Sequence, residues 1–184
     1  AYGAMGGNNY DSYVYEFPGN GSKMLGTFTL TQGDLLNIII GQKGDTAIYV
    51  GGGGGGTFVW LEQDADFPLI AAGGGGGVGY DLYLYSEGCG QGIDATINID
   101  GTNGNAQSYG GGINGYGGTD VIGSVYQASG GAGWFSNGND GSDTGCPYES
   151  TGGINPLDGG LGGTGGGSMS YAADGGFGGG GGGN

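Results

Sequence analysis

The chain has 184 residues, of which 56 are glycine, 17 are aspartate or glutamate, 2 are lysine and none is histidine or arginine, giving a formal charge of −15. Lys23 and Lys43 cannot displace the counterions of a nucleic acid, so a nucleic-acid partner is excluded. Imidazole-based catalysis and histidine zinc sites are excluded with the missing side chain, and no apolar run approaches the roughly 18 residues of a membrane-spanning helix.

A glycine content near one third fits collagen only with a strict three-residue period and abundant proline. Four prolines and no such period rule it out. A flexible linker is the other expectation for glycine-rich sequence. Against it stand 13 tyrosines, 6 phenylalanines and 2 tryptophans, together with segments rich in β-branched residues. One ordered domain over residues 1–184 is expected.

In chain order, residues 1–50 read as β-rich. Tyr13, Tyr15 and Phe17 alternate with Val14 and Glu16, and a turn follows around Pro18 and Gly19. Met24 to Leu30 reads as a half-buried strand and Leu35 to Ile40 as a more deeply buried one, separated by a turn at Gln32, Gly33 and Asp34. Residues 51–100 read as glycine helices with short strands. The first block is Gly51, Gly52, Gly53, Gly54, Gly55 and Gly56; a short strand, Thr57 to Trp60, and a polar turn at Glu62, Asp64 and Asp66 lead to the second, Gly73, Gly74, Gly75, Gly76 and Gly77. Tyr80 to Tyr85 and Ile93 to Ile99 alternate like strands. Residues 101–170 are turn-rich, with Asn-Gly steps at Asn103, Asn114 and Asn137. Residues 171–184 carry a terminal block, Gly178, Gly179, Gly180, Gly181, Gly182 and Gly183. No stretch has α-helical periodicity.

Fixing this much glycine is costly in backbone entropy, and glycine offers no side chain to bury. Close backbone packing is the remaining compensation. In an extended helix of three residues per turn every amide points outward, so such helices must bond to one another to satisfy their buried amides. A bundle is therefore expected.

Four segments carry a resemblance. Tyr2-Gly3-Ala4-Met5-Gly6-Gly7 opens the chain. Leu25-Gly26-Thr27-Phe28-Thr29-Leu30 leads into Gly33-Asp34-Leu35-Leu36-Asn37-Ile38-Ile39-Ile40-Gly41-Gln42-Lys43-Gly44. The first glycine block with Thr57-Phe58-Val59 is followed by Pro68-Leu69-Ile70-Ala71-Ala72 and the second block, and Gly175-Gly176-Phe177 precedes the last. Together they resemble the glycine-rich domain of the anaplastic lymphoma kinase and leukocyte tyrosine kinase receptors, as a module truncated at both ends. Some phage tail-tip adhesins are similar in the glycine bundle alone. The resemblance implies an all-β fold, a β-sandwich carrying a polyglycine II helix bundle, with essentially no α-helix. It implies neither kinase nor receptor signalling. The alanine start and the absent boundary strands suggest a processed product or a fragment, whose open sheet edge a neighbouring copy could complete.

The candidate sites are few. Cys89 and Cys146 suit one disulfide in an oxidising compartment, against the alternative of two buried thiols. Asn20, in Asn20-Gly21-Ser22, is an N-glycosylation acceptor pattern at a turn. Glu62, Asp64 and Asp66, and Asp140 and Asp143, are oxygen-rich turns that could hold calcium but lack the twelve-residue loop pattern; a solvated acidic surface is the simpler reading, and no other cofactor is indicated. Tyr80, Tyr83, Tyr85, Tyr109, Tyr116, Tyr126, Trp134 and Phe135 could form a face for a glycan or protein, or pack the core and inter-subunit contacts. No catalytic residues stand out, so an enzyme is not expected. The sequence points to a secreted, extracellular structural protein that self-associates into a homo-oligomer or filament. The alternative is a recognition module in adhesion, an adhesin or receptor ectodomain fragment binding a protein or glycan.

Overall fold

A computed structural model describes residues 1–10, 16–79, 90–104, 110–119, 128–141, 149–167 and 172–183. Its regular elements are strands β1 (Leu36–Ile39), β2 (Thr57–Leu61) and β3 (Ile70–Ala72) and one 3-10 turn, η1 (Pro156–Asp158). The described residues contain no α-helix. The strands form one antiparallel sheet in the order β1-β2-β3. β1 pairs Leu36 with Leu61 and Ile38 with Val59, and β2 pairs Val59 with Ile70 and Thr57 with Ala72.

Most of the remaining described backbone is extended, and it is held by bonds whose direction repeats every third residue. Gly51 and Gly54 donate to the carbonyls of Val78 and Gly75 (2.9 and 2.8 Å), Gly52 and Gly55 to Asp45 and Gln42 (3.0 and 2.9 Å), and Gly53 and Gly56 to Gly181 and Gly178 (both 2.9 Å). One six-residue block therefore binds three neighbouring segments in rotation. The bonds also close into rings. Ala4 and Gly7 donate to Gly55 and Gly52, segment 51–56 donates to 73–78 as above, and Gly75 and Val78 donate back to Ala4 and Gly7 (2.9 and 3.2 Å). A second ring shares a side with the first: Gly3 and Gly6 donate to Ser22 and Gly19, which donate to Gly73 and Gly76. Buried amides thus find partners without a conventional ladder.

The same pattern runs through the second half of the chain. Gly175 donates to Gly163, Gly163 to Gly180 and Gly180 to Gly176 (2.8, 2.8 and 3.0 Å). Gly130 donates to Asn139, Gly138 to Gly153 and Gly153 to Gly130 (2.9, 2.9 and 3.0 Å). The described parts of the region expected to be turn-rich belong to this network, built from single and paired glycines rather than blocks.

Glycine is required here by proximity. Positive φ occurs at only seven of the described glycines, Gly33, Gly115, Gly159, Gly160, Gly167, Gly178 and Gly179. Elsewhere the demand is space: a Cβ on Gly54 would overlap the carbonyl oxygens of Ala4 and Met5, one on Gly75 that of Gly19, and one on Gly55 that of Phe177. The apolar core is correspondingly thin. Ala47, Val50 and Ala173 form one small cluster with Tyr49 against it, while Ile39, Phe58 and Trp134 are buried near the sheet.

Four expectations are corrected. Residues 24–30 form no strand, and Leu25, Phe28 and Leu30 are exposed, Leu25 at 92%. Leu36, Ile38 and Ile40 are exposed, and only Ile39 of that run is buried, because β1 is an edge strand covered on one face. Ile93 to Ile99 is not a strand; Gly76 donates to Ile93, and Ala95 donates to Asn20, within the glycine network. The terminal glycine block is not one continuous extended segment. Positive φ at Gly178 (99°) and Gly179 (83°) makes a turn, after which 180–183 runs back along 173–176 through the Ala173–Gly183 bridge.

Two glycines separate space from conformation. Gly54→Ala drives a methyl into backbone oxygen and should cost on the order of 3 kcal/mol. On Gly73 the nearest atom to an added methyl is the Ala95 Cβ at 3.7 Å, so Gly73→Ala should be neutral or stabilise by about 0.4–1 kcal/mol. Urea unfolding of both variants checks this; equal destabilisation would contradict the packing account.

Candidate functional site at the sheet end

The two faces of the sheet differ. Side chains opposed across antiparallel strands share a face, so Ile39, Phe58 and Trp60 lie on one side and Leu36, Ile38, Val59, Leu61 and Ile70 on the other. The first side is covered from a distant part of the chain. The Trp134 ring stands 5.5 Å from Trp60 in an edge-on contact and 6.0 Å from Phe58, and its Nε1 donates to the Asp66 carbonyl (3.3 Å). On the second side Leu36 and Ile38 are exposed, flanked in sequence by exposed Leu25, Phe28, Leu30, Leu35 and Ile40. Among the described residues β1 is an edge of the sheet, so an open backbone edge and an apolar face adjoin.

The rim of the glycine network is finished differently. Its outer amides are capped by side-chain oxygens from the adjacent segment. Asp94 Oδ1 accepts from the Asn20 amide (2.6 Å), Asp140 Oδ1 from Gly152 (2.8 Å), Asp174 Oδ1 from Gly165 (2.8 Å) and Asp100 Oδ1 from Asn114 (2.7 Å). Asn103, Asn137, Ser136 and Thr151 do the same for Gly111, Asn155, Gly117 and Thr164. Of the carboxylates read as a solvated surface, Asp140 thus terminates the bonding network, and Asp94, Asp100 and Asp174 do so as well. Bonds to an ionised acceptor are among the stronger ones.

An aromatic ridge sits beside the covered face of the sheet. Phe135 makes a perpendicular contact with Phe67 (5.7 Å) and a tilted one with Tyr116 (5.5 Å), and all three are exposed. Next to it lies a cleft of 350 Å³ lined by Ala65, Asp66, Trp134, Phe135, Asn155, Leu157 and Asp158. Asn155 builds its floor. The buried Asn155 side chain accepts from the Leu157 and Asp158 amides, capping η1, and its Nδ2 donates to Asp158 Oδ2 (2.6 Å). Gly159, at φ 114°, ends the turn where a side chain would be strained. A second, larger cleft of 830 Å³ follows the rim over Asn137, Asp140, Thr151 and Leu161.

The structure joins the three glycine blocks that the sequence singled out. It leaves Asn20 exposed, not at the expected turn but in a segment bonded into the glycine network, its backbone N and Nδ2 both donating to Asp94 Oδ1. Of the aromatic set, Tyr116, Trp134 and Phe135 come together, with Phe67 as a member the sequence reading missed; Tyr80, Tyr83, Tyr85, Tyr109 and Tyr126 lie outside the described residues. So do Cys89, Cys146 and Asp143. Among the described residues no three cysteine or carboxylate side chains converge as a metal site would require. The capping aspartates had no sequence signal beyond lying next to glycine segments.

Removing one cap tests its contribution. Asp174→Ala should cost about 1–2 kcal/mol, and Asp174→Asn, which keeps an oxygen towards Gly165, distinctly less. Equal urea midpoints for the two variants and the parent would contradict the capping role. Compared with known proteins, the chain matches no family model and no curated protein.

Proposed function

We propose that this chain is a structural protein, the subunit of an extracellular filament whose rigid part is a bundle of polyglycine II helices. The threefold rotation of bond direction in 51–56 supports that helix type, which has three residues per turn. It agrees with the resemblance to the anaplastic lymphoma kinase type of glycine-rich domain, as a module only.

The observation that carries the assembly reading is the sheet end. The rim amides are capped by aspartate, asparagine, serine and threonine, which blunts lateral growth, whereas edge strand β1 carries exposed Leu36 and Ile38 and, among the described residues, no side-chain cap. An uncapped apolar edge is a template for another strand. Pairing between copies at β1 is therefore the contact this geometry favours. A charge of −15 opposes indiscriminate bundling at low salt. A second reading, a recognition module, is favoured by the exposed ridge of Phe67, Phe135 and Tyr116.

Sedimentation and electron microscopy of the purified chain at increasing concentration test the proposal. Concentration-dependent oligomers and filaments are expected, and Ile38→Lys, at an exposed position, should abolish them with little change in thermal unfolding. A parent chain that stays a dispersed monomer at its highest soluble concentration would overturn the filament reading.

A further inference from the structure

We infer that the cleft beside Trp134 is a binding site for an alkylammonium group, the side-chain terminus of a lysine. The cleft combines two kinds of wall. Asp66 and Asp158 supply carboxylates, and the exposed Phe135 ring supplies aromatic surface, with the buried Trp134 behind it. Both kinds attract the same ligand: a cation is held by the negative ring face and by the carboxylate, and its aliphatic stem lies against apolar carbon. A neutral sugar would stack on the ring and donate hydroxyls to the carboxylates, but only a cation also gains the net charge attraction, so glucose is the competing probe.

The site is built rather than incidental. Asn155, itself buried, holds the Asp158 carboxylate through its Nδ2 at 2.6 Å and holds the Leu157 and Asp158 amides through its Oδ1. The Trp134 Nε1 bond to the Asp66 carbonyl fixes the opposite wall. Phe67 braces the Phe135 ring edge-on at 88°. Within the chain, neither carboxylate pairs with Lys23 or Lys43; Lys23 lies over the Tyr2 ring at 5.5 Å instead. With 17 acidic residues against 2 lysines, the long-range field also draws cations towards the surface. The lysine could belong to a second copy, as Lys23 or Lys43, or to a different basic chain.

The test is a titration of the full chain with Nα-acetyl-lysine methylamide, its neutral Nε-acetyl counterpart and glucose, followed by tryptophan emission. Trp134 and Trp60 are the only tryptophans, and Trp134 is bonded to the loop that carries Asp66. A saturable change is expected with the ammonium probe alone. It should weaken about tenfold in Asp66→Asn, which alters charge at an exposed loop position, and also in Phe135→Leu, and it should fall as salt rises. In Lys23→Ala/Lys43→Ala, probe binding should persist in either case; reduced self-association would identify a second copy as the source, and unchanged self-association a separate basic chain. No saturable change, an equal response to the neutral probe, or a response to glucose instead would overturn the assignment. The readout is independent of filament formation, so either proposal can fail without the other.

Discussion

Backbone-to-backbone contact at a distance no side chain permits is the constraint on which this fold depends. Gly54 faces the carbonyls of Ala4 and Met5, Gly75 faces Gly19, and Gly163 faces Thr151, each where a Cβ would overlap oxygen. Only without that carbon can the amide of one extended segment reach the carbonyl of the next on several sides at once. The positive-φ glycines are confined to a few turns, so conformational freedom is the lesser reason for the composition. Hydrogen bonds arranged in rings, with little apolar burial, then tie together segments far apart in sequence. The entropy lost by ordering glycine is offset by amides that each find a partner.

A network of this kind needs boundaries, and the molecule makes two kinds. Along the rim, Asp94, Asp140 and Asp174 accept the last outward amides. At the sheet end, β2 and β3 continue directly out of and into the glycine segments 51–56 and 73–77, exchanging the threefold pattern for a flat ladder. That ladder is covered by Trp134 on one face and stops at β1 on one edge. The rim thus ends in side-chain caps, and the sheet ends at its edge strands β1 and β3.

The glycine runs at 51–56 and 73–77 were legible because six or five consecutive glycines leave no alternative to backbone packing. β2 was legible from Thr57, Phe58, Val59 and Trp60, whereas β3, only three residues long and partly alanine, was not read as a strand. Gly117-Gly118, Gly130-Gly131 and Gly152-Gly153 were not legible, because an isolated glycine pair in a polar, Asn-Gly-rich region reads as a turn, and only its distant partners show otherwise. The exposure of Ile38 was hidden for a related reason. The run Leu35 to Ile40 is mostly apolar whichever face is covered, and the ring that packs on Phe58 comes from Trp134, remote in sequence. The cleft shares that limit, since Asp66 and Asp158 belong to turns that only the fold brings together. The terminal block misled through its own uniformity: six identical residues conceal the turn at Gly178 and Gly179.

Amide hydrogen exchange at Gly52, Gly54, Gly75 and Gly180, read residue by residue in the native protein, tests the central account most directly. If closed rings of backbone bonds hold the molecule together, these amides exchange only through global opening, as slowly as those of β2. Exchange at the rate of free glycine peptides, with β2 still protected, would show that the glycine segments do not carry the fold.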